Sequence, residues 1–130
     1  MPSKFTVQIE IFAQNHFIKL FKKKYKDHWD TTQESIEKGL ERIDLLITTD
    51  KAETICDAGT IKIIKTQFRI DGSKESAKTS GNRSIVAWHV DKQYVSVLLV
   101  YGKTDITSRN ETATWKKLVK ENYPEYKKLI

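Results

Sequence analysis

The chain contains little cysteine, proline or glycine: one, two and five residues respectively among 130. A single cysteine excludes an intramolecular disulfide and a cysteine metal cluster, so we expect Cys56 to be a reduced, partly buried thiol. No apolar run approaches the roughly 20 residues that span a bilayer, and the N-terminus lacks the charged and then apolar layout of a signal peptide. These absences predict a cytoplasmic protein.

Metal and cofactor motifs are also missing. The three histidines, His16, His28 and His89, are far apart, and no pair of them has the spacing of metal ligands. We therefore expect no metal and no small-molecule cofactor.

Charge is abundant. Charged residues make up 31% of the chain and hydrophobic residues 38%, which suits one ordinary domain over residues 1–130. The formal net charge is +6 and the pI is about 9.3. Residues 1–65 carry 11 Lys and Arg against 10 Asp and Glu, whereas residues 66–130 carry 12 against 7. This imbalance predicts a polyanionic partner, which is nucleic acid, an acidic protein segment, or each in turn.

The first half of the chain predicts one strand and two helices. Apolar and polar residues alternate from Thr6 to Phe12, which favours a half-buried strand. A helix should follow over residues 13–26, with an apolar stripe of Phe17, Leu20, Phe21 and Tyr25. Thr31 and Glu34 have the spacing of a capping box. They would begin a second helix whose apolar residues are Ile36, Leu40, Ile43 and Ile47. The short connection predicts a helical hairpin, within which Gly39 would allow close approach.

The second half predicts three strands and a final helix. Asp57-Ala58-Gly59 reads as a turn. The strands are expected at about Thr60–Ile70, Arg83–Val90 and Tyr94–Tyr101, and the helix at about Asn110–Glu121. The order β, α, α, β, β, β, α predicts an α+β fold with a mainly antiparallel sheet.

Basic side chains recur at strand spacing in the first of these three strands. Because alternate residues point to the same face, Lys65, Gln67 and Arg69 should project together. Ile64, Phe68 and Ile70 should face the core. We expect guanidinium and ammonium groups to converge on the exposed side of a curled sheet, where they would bind a phosphate.

A loop of small and polar residues separates this strand from the next. Residues 71–82 are expected to be mobile and to carry Lys74 and Lys78, and the turn Ser80-Gly81-Asn82 leads into Arg83. Arg83 either binds phosphate or forms a structural ion pair.

Several other side chains allow two interpretations. His89 lies on the Arg83 side of its strand and is either a base or a packed structural histidine. Trp88 belongs to the core with Val86 and Val90, or stacks on bases. The basic run Lys22, Lys23, Lys24 and Lys26 is a solvated helix end or a second RNA patch.

These elements and motifs together resemble the RelE/ParE superfamily of small bacterial toxins, across residues 5 to about 122. Members of that superfamily carry a K-x-R strand, a G-K-S-G-G-x-R turn and a closing Y-x-K strand. The counterparts in this chain are Gln67-Phe68-Arg69, the segment from Ala77 to Arg83, and Tyr101-Gly102-Lys103. Gln67 replaces the usual Lys, Asn82 replaces the second Gly of the turn, and residues 71–79 form a less regular loop.

The resemblance implies a RelE- or HigB-like mRNA interferase. Such toxins act in the ribosomal A site without a metal: the ribose 2′-OH attacks the adjacent phosphate, leaving a 2′,3′-cyclic phosphate and a 5′-OH. The implied catalytic residues are Lys65, Arg69, Arg83 and Lys103. The implied RNA contacts are Lys62, Lys74, Lys78 and Tyr101. The implied partners are mRNA, the ribosome and a cognate antitoxin protein.

Two other functions remain open from the sequence. The same superfamily includes ParE-type toxins that act on DNA gyrase, and a shared fold does not separate the two activities. Gln67 leaves room for a module that binds RNA or the ribosome without cutting. The acid and base are also open: Tyr101, Tyr123 and Tyr126 are each either catalytic or packed.

Overall fold

A five-stranded sheet with the strand order β1-β5-β4-β3-β2 forms the middle of the fold. The computed structural model describes residues 4–102, 105–106 and 108–130. The strands are β1 Thr6–Ile9, β2 Ala52–Asp57, β3 Ile61–Gln67, β4 Arg83–His89 and β5 Tyr94–Tyr101. β2 to β5 pair antiparallel, whereas β1 pairs parallel with β5. The expected α+β class with a mainly antiparallel sheet is confirmed.

Helical segments precede, interrupt and follow the strands. The α-helices are α1 Ile11–Ala13, α2 Lys19–Tyr25, α3 Asp27–Glu41, α4 Ile43–Leu46, α5 Ala77–Ser80 and α6 Glu111–Asn122. A π-helical turn, Gln14–Ile18, joins α1 to α2, and 3₁₀ turns cover Ser108–Asn110 and Pro124–Leu129. No helix in the described part of the chain combines the length and the apolar composition that a bilayer crossing requires.

The strands separate two hydrophobic cores because successive side chains point to opposite faces. Ile64, Val86 and Val97 pack with the N-terminal helices, as do Phe68 and Ile70. Ile63, Ile85 and Leu99 pack with α6 and the C-terminal turn. Both faces are therefore covered, and the expectation of an open sheet face is wrong.

The π-helical turn changes the buried face of the first helix. Phe17 and Phe21 are buried as expected, and Tyr25 is half-buried, but Leu20 is 55% exposed. The wider π turn rotates the residues that follow it relative to a regular α-helical stripe. As a result Ile18 enters the core in place of Leu20.

The second long helix begins earlier than the sequence suggests. α3 starts at Asp27, directly after Lys26, whose φ of 52° separates it from α2. The capping box at Thr31 is therefore wrong: the Thr31 hydroxyl donates to the Asp71 carboxylate instead. α3 leads back to the start of β1, where the Phe5 amide donates to the Glu41 carbonyl at 2.8 Å.

Two further features differ from the prediction. β2 was not predicted; it pairs with β3 through the expected turn at Asp57, where Gly59 adopts a φ of 88°. The loop before β4 contains the short helix α5, which Ser76 and Thr79 cap reciprocally. Polar side chains thus supply the capping bonds that nucleate a helix in a segment without large apolar groups.

Candidate functional site

Three neighbouring strands present a row of polar side chains towards α6. Gln67 on β3 pairs with Arg83 on β4, and Arg83 pairs with Tyr101 on β5. Lys65 lies two residues before Gln67 and shares its face. The predicted site residues Lys65 and Arg83 therefore lie on one face of the sheet, with Gln67 beside them.

The N-terminus of α6 adds a carboxylate to this row. Glu111, the first residue of α6, accepts hydrogen bonds through Oε2 from Lys65 Nζ at 2.5 Å and from Tyr101 Oη at 2.7 Å. The side chains of Lys65 and Glu111 are only 19% and 20% exposed. Because it is largely withdrawn from water, this pair is held more firmly than a typical surface ion pair.

The environment fixes the protonation state of Glu111 and Tyr101. Burial alone would raise the pKa of Glu111, but hydrogen bonds from Lys65 and Tyr101 and the charges of Lys65 and Arg83 outweigh it, so the pKa lies below its ordinary value. Burial, with Glu111 adding to it, raises the pKa of Tyr101 well above its ordinary value. At neutral pH the site therefore holds a carboxylate and a neutral phenol that donates a hydrogen bond.

Arg83 also stabilises the backbone next to this row of side chains. Its guanidinium donates to the carbonyls of Ala77 at 3.2 Å, Lys78 at 3.0 Å and Asn82 at 2.8 Å. The first two carbonyls belong to α5, so Arg83 anchors this helix to the start of β4. These bonds orient the charge of Arg83, which still acts on Glu111 and Tyr101.

A shallow cleft opens beside these groups. We call it the Lys65 cleft; it has a volume of about 180 Å³. Its lining residues are Asp50, Lys51, Ala52, Glu53, Lys65, Gln67, Arg83 and Glu111. Three cationic side chains face three carboxylates, so the expected purely cationic row is wrong. A phosphate entering the cleft must compete with Glu111 for the ammonium group of Lys65.

The remaining predicted residues are dispersed. Arg69 is exposed and lies beyond the end of β3, where it lines, together with Gln67, a groove against α3. Lys62 lies on the opposite face from Lys65, 3.6 Å from Asp57 and over the ring of Trp88. β3 ends before Arg69, so Arg69 does not line the Lys65 cleft, and of the two residues grouped with it only Gln67 shares its groove.

The residues that were predicted to contact RNA differ in their exposure to solvent. Lys74 and Lys78 are exposed on the α5 loop, and whether they contact RNA stays a prediction. Tyr101 has no exposed surface, so the expectation that it contacts RNA directly is wrong. Lys103 lies outside the described residues.

The aromatic candidates for acid and base are packed. His89 Nε2 lies 2.9 Å from Tyr126 Oη, and Tyr123 Oη donates to the carbonyl of Leu98 at 2.8 Å. Both tyrosines are more than nine-tenths buried and hold the C-terminal turn against the sheet. Trp88 is 5% exposed and belongs to the core, as expected.

Glu111 is the residue that the sequence did not reveal. It follows Asn110 at the predicted start of the last helix. An acidic residue at this position is usually interpreted as stabilising the helix through its dipole. No local pattern indicates that this helix begins over β3 and β5. Only the tertiary fold brings Glu111 to Lys65.

The comparisons with known proteins do not identify a family for this chain. No protein-family model matches the chain, and no curated protein and no solved structure matches it significantly. Within the described ranges no cluster of three or more His, Cys, Asp or Glu side chains has metal-binding geometry.

Proposed function

We propose that the chain is an endoribonuclease toxin that cuts RNA at the Lys65 cleft by attack of a ribose 2′-OH on the adjacent phosphate. The observation that carries this proposal is the hydrogen-bonded arrangement of Lys65, Glu111 and Tyr101 beside Arg83. It supplies a carboxylate, an ammonium and a guanidinium, which are the groups such a reaction needs.

The phosphate enters by exchanging partners. A phosphodiester oxygen takes the place of Glu111 at Lys65 Nζ, while Arg83 adds charge from the cleft wall. Loss of Lys65 as a partner moves the pKa of Glu111 upward, which makes the carboxylate a better base. The Glu111 carboxylate is held in an ion pair in the free protein, and it becomes an effective proton acceptor only when a phosphate is bound.

The chemical step then balances as follows. Glu111 accepts the proton of the 2′-OH as the 2′ oxygen forms a bond to phosphorus. The bond between phosphorus and the 5′ oxygen breaks, and the Lys65 ammonium protonates that leaving oxygen. The products are a 2′,3′-cyclic phosphate and a 5′-OH, and the proton on Glu111 returns to Lys65 through solvent.

A second candidate is an RNA-binding or ribosome-binding module without nuclease activity. Gln67 in the middle of the row and the balance of charges in the Lys65 cleft favour it. In that case the ion pair of Lys65 with Glu111 would be purely structural. Exposed lysines of α2, including Lys22 and Lys23, would provide the contacts to RNA.

The proposed partners follow from the same surface. A ribosome would present the RNA to the Lys65 cleft, and the exposed lysines at the end of α2 suit a ribosomal RNA surface. An antitoxin would inhibit by laying an acidic segment across these basic groups. In a cell the proposed site of action is the cytoplasm, where mRNA is translated.

Purified protein and end-labelled RNA, with and without ribosomes, test the nuclease. We expect Lys65→Ala and Glu111→Gln each to reduce cleavage by about 100-fold or more, and a 2′-deoxy nucleotide at the cut site to abolish it. Glu121→Gln is the matched control, because Glu121 forms an exposed ion pair with Lys117 on the same helix. Cleavage that survives Glu111→Gln would contradict the proposed base, and RNA binding without any cleavage would favour the second candidate.

A further inference from the structure

The groove that Arg69 lines against α3 is larger than the Lys65 cleft and adjoins it. It has a volume of about 680 Å³, and we call it the Gly39 groove. Lys51 and Gln67 line both the groove and the cleft, so the two depressions are continuous. The lining residues of the groove are Thr32, Ser35, Ile36, Gly39, Leu40, Leu46, Lys51, Thr66, Gln67, Phe68, Arg69, Asp71, Ser76 and Ala77.

The apolar part of this lining is mainly aliphatic. Leu40 and Phe68 are buried, whereas Ile36 and Leu46 are half-buried and present apolar surface to the groove. A Cβ added to Gly39 would meet no atom within 4 Å, so the missing side chain leaves open space against α3. Apolar surface beside such a space suits the aliphatic side chains of a partner.

The backbone of the groove walls restricts the conformation of an occupant. β3 pairs with β2 on one side and with β4 on the other, so it offers no free edge to an added strand. The pairing continues past the strand, where the Phe68 amide donates to the Asn82 carbonyl at 3.2 Å. An extended peptide would find no partner for its own backbone groups along β3, whereas an α-helix pairs them internally. The walls therefore suit an amphipathic helix with apolar residues three and four positions apart.

The charges of the groove determine which polar residues that helix should carry. Lys51 and Arg69 are exposed, and neither forms an ion pair with another residue that the structure describes. Asp71 is the only acidic residue in the lining, and it is engaged: its carboxylate accepts from the Thr31 hydroxyl at 2.9 Å and its amide donates to Thr32 Oγ1 at 2.7 Å. Carboxylates of a partner would pair with Lys51 and Arg69, and the guanidinium can bind one through two hydrogen bonds.

An RNA strand fits the same groove less well than a helix does. Proteins bind single-stranded RNA with a row of cations and with aromatic rings on which the bases stack. Phe68 is the single aromatic residue in the lining, and it is only 7% exposed. The aliphatic character of the remaining apolar residues favours a protein partner.

We infer that the Gly39 groove binds an acidic amphipathic α-helix of a partner protein. Because Lys51 and Gln67 belong to the groove and to the Lys65 cleft, the bound helix reaches the mouth of the cleft and hinders the entry of a phosphodiester. The docking of the helix stands by itself, whereas its inhibitory effect rests on the proposed function.

Helical peptides displayed on phage and selected on the purified protein test the docking. The selected peptides should carry Leu or Ile at spacings of three and four together with Asp or Glu. Synthetic copies are then measured by fluorescence anisotropy. Gly39→Trp, which fills the groove, should weaken their binding by about tenfold or more, as for the loss of a buried anchor. Lys38→Trp, at an exposed position of α3 outside the groove, is the matched control and should leave binding unchanged.

A charge reversal covers the case in which Gly39→Trp disturbs the fold. Arg69→Glu changes an exposed residue and should weaken peptide binding severalfold, whereas Lys38→Glu, the same change of charge on α3, should have little effect. Failure to select any acidic amphipathic peptide, or binding that both groove variants retain in full, would overturn the inference. It would also be overturned if the groove variants weakened binding of a 2′-O-methyl oligonucleotide and not of the peptides, because the groove would then belong to RNA.

Cleavage assays separate this inference from the proposed nuclease. Addition of a selected peptide should inhibit the cutting of end-labelled RNA by the wild-type protein, and this inhibition should be weaker for Arg69→Glu. A peptide that binds in the groove and leaves cleavage unchanged would overturn the inhibition alone. Peptide binding by a protein that cuts no RNA would overturn only the proposed nuclease.

Discussion

Lys65 Nζ lies 2.5 Å from Glu111 Oε2, which joins β3 to the first turn of α6. The pair connects residues 46 positions apart in the chain. Together with the hydrogen bond from Tyr101 to the same carboxylate, it depends on how the last helix is placed. Its stability and its chemistry can be separated by experiment.

Glu111→Gln should lower the free energy of unfolding at pH 7 by about 1 to 3 kcal/mol, because Lys65 loses a charged partner. The pKa of Glu111 is lowered in the folded protein, so its contribution is present above the pKa of the unfolded chain, about 4.3, and disappears as pH falls through the lower folded value. Urea unfolding at several pH values measures this. A difference from wild type that persists unchanged at pH 2 would show that the cost is steric.

Arg83→Ala should destabilise the protein without any RNA present. Three backbone carbonyls lose the hydrogen bond from the guanidinium, which should cost about 1 to 3 kcal/mol. Arg69→Ala, which changes an exposed arginine, should stay within about 0.5 kcal/mol of wild type. Equal thermal midpoints for the two variants would contradict the role of Arg83 in anchoring α5. A loss of nuclease activity in Arg83→Ala must therefore be corrected for folding.

Gly39→Ala should stabilise the protein. A Cβ at Gly39 would have no atom within 4 Å, so the expected close approach of helices is absent and alanine fits α3 without strain. Replacing glycine in a helix interior gains about 1 kcal/mol. The midpoint of thermal unfolding should rise by about 4 °C. An unchanged or lower midpoint would contradict a relaxed helix at this position.

Acidification should weaken the packing of the C-terminal turn against the sheet and so lower the free energy of unfolding. Burial, assisted by the charge of Lys92 and opposed by Asp91, lowers the pKa of His89. The unfolded chain therefore binds a proton more readily, so stability is present above about pH 6.5 and falls as pH drops through that value. In His89→Gln this part of the pH dependence should vanish, whereas His16→Gln, at an exposed position, should retain it. Chemical denaturation between pH 5 and pH 8 separates the two.

Short-range patterns predicted the strands well. The segments from Ile61 to Gln67 and from Arg83 to His89 are rich in apolar residues because both faces of the sheet pack against a core. β2 lacks this signal: only three of its six residues are even half-buried, because it lies at the edge of the sheet. The pattern of apolar residues therefore could not reveal it.

The candidate site was only half predictable for a related reason. The period of the strand places Lys65 and Gln67 on one face, whereas the position of Arg83 beside Gln67 depends on the register between β3 and β4. Glu111 reaches them through the placement of α6, and Arg69 leaves them where β3 ends. Neither the placement of Glu111 nor the end of β3 can be predicted from neighbouring residues, since each depends on contacts between segments far apart in the chain.

The parallel pairing of β1 with β5 has a consequence for synthesis. Thr6 to Ile9 pair with Tyr94 to Val97, so β1 and its partner strand are separated by more than 80 residues of the chain. Closing such a long loop is slow relative to local pairing. During synthesis β1 therefore stays without its partner strand until Val97 has been made, and the catalytic groups proposed above come together only after Glu111 has been made.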